Sequence, residues 1–241
     1  MLNVLYRDDH VIAINKPPGW LVHRSNLDRH ETRILVQALR DQIGRHVHPV
    51  HRLDKGTSGV QLFALDPQTA AALGAQFEQH AVGKEYQAIV RGWPAAEGRI
   101  DHPLTRLADR HGEIAQRDEP QPALTDFRRL ATVELPFAVD RYPASRYALL
   151  ALAPRTGRRH QLRRHLKHIA HPIIGDATYG KGRHNRFFQT QFGCHRLLLA
   201  CRALRFRHPR DNSERCIVAP LDPAFASVIR ALGWEEAFQP E

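Results

Sequence analysis

The chain has 241 residues, 42% of them apolar and 25% charged, enough for a sizeable core and too apolar for disorder to dominate. Its longest apolar run, Tyr147–Ala153, falls far short of the ~20 residues that a membrane helix needs. Arg7, Asp8 and Asp9 interrupt the N-terminus before a secretory apolar segment could form. Three cysteines suit a reducing compartment better than a disulfide framework, so a cytoplasmic protein is expected. Lys and Arg total 35 against 25 Asp and Glu, a net charge of +10. Only five of those cations are lysine, so 30 are arginine. Codon composition can set that ratio but does not explain the net excess. Guanidinium grips phosphate through a planar fork, and the balance points to a polyanion, nucleic acid before an acidic metabolite or a membrane.

Short strands are expected at Leu2–Tyr6 and Val11–Ile14, parted by a polar turn. Asn15 to Gly19 breaks regular structure, and Trp20–His23 returns to extended chain. Glu31–Ile43 carries Ile34, Leu35, Ala38, Leu39 and Ile43 at helical spacing. A loop holding His51 to Ser58 leads to a buried strand at Gly59–Leu65. Asp66-Pro67 is an N-cap and first-turn pair for a helix reaching Gln79. Lys84–Val90 alternates as a strand, and Gly92–Pro122 is polar enough for connecting hairpin and loop. Arg146–Ala153 is a further strand, after which the Pro154–Gly157 turn opens a helix. Leu162, Leu166 and Ile169 line one side of it; Arg158, Arg159, Arg163, Arg164 and Lys167 line the other. A strand at Leu197–Phe206 and a helix at Pro223–Leu232 complete the chain. Strands and helices without regular βαβ alternation, and without a linker, predict an α+β fold in a single domain over residues 1–241.

Sixteen histidines raise the question of metal. His160, His165, His168 and His171 lie close together, and Cys194-His195 precedes Cys201, but neither spacing matches a ligand arrangement. These histidines read as solvated or phosphate-facing, and no metal is expected. Gly180-Lys181-Gly182 lacks a third glycine and a following apolar helix, which argues against a nucleotide-phosphate loop.

The informative segment is His51-Arg52-Leu53-Asp54-Lys55-Gly56-Thr57-Ser58-Gly59-Val60. It sets one acid between two cations, ahead of a small-residue turn and a strand. A carboxylate so flanked stays ionised, which suits nucleophilic or basic work rather than proton donation. On local sequence alone, a turn Asp paired with a neighbouring base explains it better than catalysis does.

The stretch resembles the His-Arg-Leu-Asp motif of the pseudouridine synthases of the large-subunit ribosomal A (RluA) family. Lys16-Pro17-Pro18-Gly19 with Val22-His23, the run Lys84 to Gly92, Thr156-Gly157-Arg158-Arg159-His160-Gln161-Leu162-Arg163, and His171 to Asp176 with Tyr179-Gly180 resemble its other motifs, in its order. The resemblance spans residues 4–209. It implies one catalytic domain, a mixed and mainly antiparallel sheet flanked by helices, and isomerisation of uridine to pseudouridine without any cofactor. It makes Asp54 the essential carboxylate, Tyr86 the aromatic that stacks on the extruded uracil, and Arg163 the partner of Asp54. Arg52 is expected to fill the space the base leaves; His51, Arg158 and Arg164 are further candidates for binding RNA. With motifs starting inside the first twenty residues, no N-terminal accessory RNA-binding domain is expected.

One departure is visible. Family members commonly carry His in Arg-Leu-x-Leu-His-Ala, whereas Arg196-Leu197-Leu198-Leu199 is followed here by Ala200-Cys201, in what reads as a core strand. Trp20 to Ser25, Gln76 to His80, Ile89 to Trp93 and Arg163 to Leu166 resemble the wording of a member acting on tRNA, at uridine 65 of the T-arm stem. Large-subunit ribosomal RNA is the alternative substrate, and an RNA-binding protein without chemistry the alternative class. An acid set among phosphate-binding cations argues against the latter.

Overall fold

The computed structural model describes residues 1–24, 31–105 and 119–238. Their apolar runs become β1 (Asn3–Arg7), β2 (Val11–Lys16), α1 (Leu35–Ile43), β3 (His48–Pro49), β4 (Ser58–Ala64), α2 (Pro67–Glu78) and β5 (Gly83–Arg91). There follow β6 (Glu97–Asp101), β7 (Leu124–Leu135), β8 (Ser145–Pro154), α3 (Gln161–His168), α4 (Gly182–Phe192), β9 (Leu199–Arg207), β10 (Glu214–Val218) and α5 (Pro223–Ala231). The strands form one sheet ordered β1-β2-β4-β9-β5-β8-β7-β6, with β3 beside β4 and β10 beside β9. Neighbours pair antiparallel except β4 and β9. This is the mixed, mainly antiparallel sheet flanked by helices that an α+β reading requires.

Period-two alternation decides which helix meets which face. Val60 and Leu62 pack with Leu73 of α2, and Ala88, Val90, Ala148 and Leu150 with Leu162 and Leu166 of α3. Tyr86 touches both groups, so α2 and α3 share one face. On the other face Ile12, Ile14 and Phe63 meet Leu35 and Leu39 of α1. There too Ile89, Tyr147 and Leu149 meet Phe188 of α4 and Phe225 of α5. Asp66 caps α2 as expected, accepting the Thr69 amide at 2.8 Å with Pro67 in the first turn.

Four expectations need correction. The first helix begins at Leu35, not Glu31, because residues 31–34 stay extended: Ile34 bridges to Leu21, and the Leu35 amide donates to the Leu21 carbonyl. Arg158 and Arg159 precede α3 instead of lining it, since His160 takes a left-handed φ of 55° and the helix starts at Gln161. A helix with an aromatic face does follow Gly180-Lys181-Gly182: it is α4, which buries His184 and Phe188 and packs Phe187 and Phe192 against the same core. His165 is neither solvated nor phosphate-facing: it is fully buried, bonded to Thr125 Oγ1 and the His102 carbonyl, both at 3.0 Å. The twelve-residue β7 had no apolar run to announce it, its residues being mostly half-buried. Much of the Gly92–Pro122 stretch lies outside the described residues. No helix among those described is long and apolar enough to cross a membrane.

Gly59 marks the parallel contact of β4 with β9. Its φ is +107°, and a Cβ there would lie 2.0 Å from the Cys201 carbonyl oxygen. Gly59→Ala should therefore cost about 4 kcal/mol or more. Gly74→Ala, in open space on α2, should instead stabilise by up to about 1 kcal/mol. Urea unfolding of the two variants checks both signs.

Candidate active site

Asp54 stands in the loop between β3 and β4, and buried polar groups hold that loop in place. The Leu53 amide donates to Gln61 Oε1 at 3.2 Å, and Gln61 Nε2 donates to the His51 carbonyl at 2.7 Å. Beneath it, fully buried Lys16 donates to the carbonyls of Thr57 at 2.8 Å, Lys55 at 3.1 Å and Pro17 at 3.1 Å. The Gly19 amide also donates to Lys55 O, at 2.7 Å. Burial, assisted by the Arg196 charge and opposed by Asp54, lowers the Lys16 ammonium to about 7.

From the other side of the cleft comes Arg163, in the first turn of α3. Its Nη1 donates to Asp54 Oδ2 at 3.2 Å, while Nε and Nη2 grip Asp176 at 2.7 and 2.9 Å. Asp176 Oδ1 also accepts the Thr178 and Tyr179 amides, each at 2.9 Å. Burial opposes the charge on both partners. For Asp176, Arg163 and these amides outweigh it and hold the carboxyl below its ordinary range. For Arg163, the bonds and charges of Asp176 and Asp54 outweigh it and raise the guanidinium above its ordinary range. The Tyr179 ring lies 5.0 Å from the guanidinium carbon, and its hydroxyl bonds His160 Nδ1 at 3.1 Å. His160 Nε2 is 3.9 Å from Asp54 Oδ1. Burial above all, with the charges of Arg163 and Arg159, outweighs the pull of Asp54 and keeps this imidazole below its ordinary value.

Tyr86 enters from β5 at a register shift against β9, where the Glu85/Tyr86 step breaks the ladder; such bulges re-aim side chains. Burial and the neighbouring Cys201 keep its phenol well above the ordinary range, so it carries its proton at neutral pH. The cleft these groups enclose measures ≈ 280 Å³, and His51, Arg52, Asp54, Tyr86, Arg158 and Arg163 all line it. Arg52 is exposed on its rim. Arg158 also lines it while donating through Nε to Pro122 O at 3.2 Å. His51 belongs to its wall, stacked 4.8 Å from the Phe77 ring and accepting the Leu62 amide at 3.0 Å. Burial and the Lys84 charge push its imidazole down to about 3, so it is neutral. Arg164 lies outside the cleft, donating to the Thr105 carbonyl and hydroxyl at 2.9 and 3.3 Å.

Lys16, His160 and Asp176 belong to this constellation, although sequence reasoning gave Lys16 and Asp176 no role and read His160 as solvated or phosphate-facing. Each stands within one of the ordered motifs, the only signal available for them. Ala200, where the family motif carries His, packs with Ile89 and Leu198 on the face away from the cleft. Among the described residues no three His, Cys, Asp or Glu side chains form a group that could hold a metal ion.

What the arrangement can do is limited and specific. It presents one fixed carboxylate, a neutral phenol and a rim of arginines in an open groove: equipment for nucleophilic or basic work on a polyanion. The profile of the family described as RNA pseudouridylate synthase matches residues 10–168. The chain belongs to that family. It is 50% identical over 234 residues to the tRNA pseudouridine synthase C of Haemophilus ducreyi, covering 97% of this chain and 96% of that protein. Against the protein of the same name from Pectobacterium carotovorum it is 48% identical over 237 residues, 98% of this chain but 63% of that longer protein. The solved structure of human RNA pseudouridylate synthase domain containing 1 superposes with a TM-score of 0.70 at 28% identity, covering 97% of this chain and 95% of that one. The family's reaction is an isomerisation: the N-glycosidic bond of a uridine is exchanged for a carbon–carbon bond.

Lys16 should leave a signature in stability against pH. Its ammonium is lowered to about 7 from an ordinary 10.5. Between those values the unfolded chain binds the extra proton, so stability rises with pH across that window. Lys16→Met should lack this rise. Urea midpoints of both proteins measured from pH 7 to 10 check it; parallel curves would remove Lys16 as the cause.

Proposed function

We propose that the chain isomerises uridine to pseudouridine in tRNA, at position 65 of the T-arm stem, in the cytoplasm and without metal or cofactor. The observation that carries the reaction is the Asp54–Arg163–Asp176 arrangement. Asp176, with 1% of its side chain exposed, anchors the guanidinium, and Asp54, with 26%, keeps lone pairs facing the cleft. The tRNA substrate is supported by near-full-length relatives bearing that name. Position 65 is supported by the motif wording around Trp20, Gln76, Ile89 and Arg163.

The roles follow from the geometry. A uridine in a stem must be swung out, at a cost of a few kcal/mol in lost stacking. Arg52, exposed on the rim beside Asp54, fills the gap, since its planar guanidinium can stack and hydrogen-bond where the base had been. The extruded uracil rests on Tyr86, a neutral aromatic face with a hydroxyl for hydrogen bonding. Asp54 then acts on the sugar, by attack at C1′ or by removal of the C2′ proton. Either route needs a positioned carboxylate, and Arg163 holds Asp54 in place through a charge-assisted bond. The N1–C1′ bond breaks to free the uracil, which turns. It bonds C1′ through C5 as the Asp54 carboxylate leaves C1′, or as C2′ of the glycal takes back its proton. The C5 hydrogen is then lost to solvent and N1 is protonated. Arg158 and His51 bound the space in which the uracil turns, and Arg164 adds charge for the phosphates outside. The catalytic domain, residues 1–241, reads its RNA through shape and phosphate contacts.

Purified protein should convert unmodified tRNA carrying uridine at position 65, with chelator present and no other factor. Asp54→Asn should lower turnover at least ~10⁴-fold while tRNA affinity holds. Tritium release from C5-labelled uridine and filter binding measure the two. Conversion of a large-subunit ribosomal fragment in place of tRNA would move the substrate. Binding of both RNAs without any pseudouridine would leave a binding protein.

A further inference from the structure

A second cavity, ≈ 620 Å³, opens at the other end of β5 and α3, lined by Arg91, Trp93, Tyr142, Arg146, His171 and His184 among others. Five residue steps along β5 separate Tyr86 from Arg91, about 17 Å of strand. Lys167 on α3 and Lys181 at the start of α4 are exposed cations on the elements that carry Arg163 of the Asp54 cleft and His184 of this cavity. The three exposed large aromatics among the described residues, Trp93, Phe137 and Tyr142, all belong to this end of the sheet. Trp93 and Tyr142 line the cavity itself.

Both rings are held. Trp93 Nε1 donates to the Val133 carbonyl at 3.1 Å, and Arg146 sits 4.4 Å from its ring centroid. Arg141 lies 4.7 Å from the Tyr142 centroid. Two carboxylates also border the cavity, but Glu134 is bonded by Arg146 and Asp140 by Arg183. Arg91 differs. Its Nε donates to His184 Nε2 at 3.2 Å, and His184 Nδ1 bonds the Tyr147 hydroxyl at 2.9 Å. His184 is 4% exposed; burial, then the Arg91 charge, lowers it to about 4, so it is a neutral acceptor. It fixes the guanidinium by one nitrogen, and the two terminal nitrogens of Arg91 donate to no side chain or carbonyl among the described residues.

Aromatic faces beside an uncommitted guanidinium fork are the recognition elements of a nucleotide whose base is unstacked. We propose that this cavity is a second RNA subsite. It takes an unpaired nucleotide of the same RNA whose uridine occupies the Asp54 cleft, with the base on Trp93 and Tyr142 and the phosphate on Arg91. The inference rests on the tRNA reading. A stem hides its bases, but the T-loop on one side and the unpaired 3′ end beyond the acceptor stem each offer unstacked ones.

Binding in an Asp54→Asn background tests it, with and without Trp93→Leu plus Tyr142→Ala. The RNAs are whole tRNA, tRNA without its unpaired 3′ end, tRNA with the T-loop replaced by a tight cap, and a blunt stem lacking both. Loss of stacking should weaken whole tRNA roughly tenfold and leave the blunt stem unchanged. Whichever singly trimmed RNA loses the difference identifies the segment held. Equal affinity of the two proteins for whole tRNA, or the same tenfold loss on the blunt stem, would overturn the subsite. Tyr142→Ala alone removes only an exposed side chain and should give the same pattern at smaller amplitude, whatever Trp93 contributes to folding. Turnover of whole tRNA by the unsubstituted protein is scored separately. No turnover with the binding pattern intact sinks the tRNA-modifying reading and leaves the subsite standing; turnover without the pattern does the reverse.

Discussion

Arg163 is shared between two carboxylates, and the character of the cleft follows from how it divides its hydrogen bonds. Two go to Asp176 and one to Asp54. Asp176 also takes two backbone amides, so its oxygens are well used and almost wholly out of water. Breaking a buried pair of this kind typically costs about 3–5 kcal/mol, because one charge is left uncompensated. The guanidinium therefore belongs to Asp176 and is offered to Asp54.

Such an arrangement works only if the backbone on both sides is held. On the Asp54 side, Lys16 and Gln61 tie the loop through carbonyls and an amide, with no demand on the carboxylate itself. On the Arg163 side, Gln61 has a counterpart in Gln161. Its Oε1 accepts the Thr156 hydroxyl at 2.7 Å and the Arg158 amide at 3.0 Å, and its Nε2 donates to Leu124 O at 3.0 Å. Each buried amide side chain pins the turn that delivers a reactive group. The sheet sets the separation between the turns, because β4 leads out of one loop and β8 leads into the other.

Charge in the cleft is segregated by burial. Tyr86, His51 and His160 are kept uncharged at neutral pH, while the arginines are not. The groups facing the middle of the cleft are thus neutral rings, and the positive charge is carried by the guanidinium groups. The second cavity repeats that division with Trp93 and Tyr142 beside Arg91.

The sequence by itself determined the family, the strands β1, β2, β4, β5, β8 and β9, and the three residues on which the proposed chemistry rests. Asp54, Tyr86 and Arg163 each sit in a run whose wording is local, so no knowledge of the fold is needed to select them. Local wording also predicted the cap of α2, since Asp66, Pro67 and Thr69 interact within one turn. It could not announce β7, a half-buried strand without an apolar run, or α4, whose apolar face is three phenylalanines set among polar residues. It misread His165, because a histidine among arginines looks solvated until Thr125 and the His102 carbonyl are brought beside it. Asp176 and Lys16 became parts of the site only in three dimensions. An ion pair or a buried ammonium is defined by what the folded chain removes from water around it, and that is a property of tertiary contact, not of neighbours in sequence.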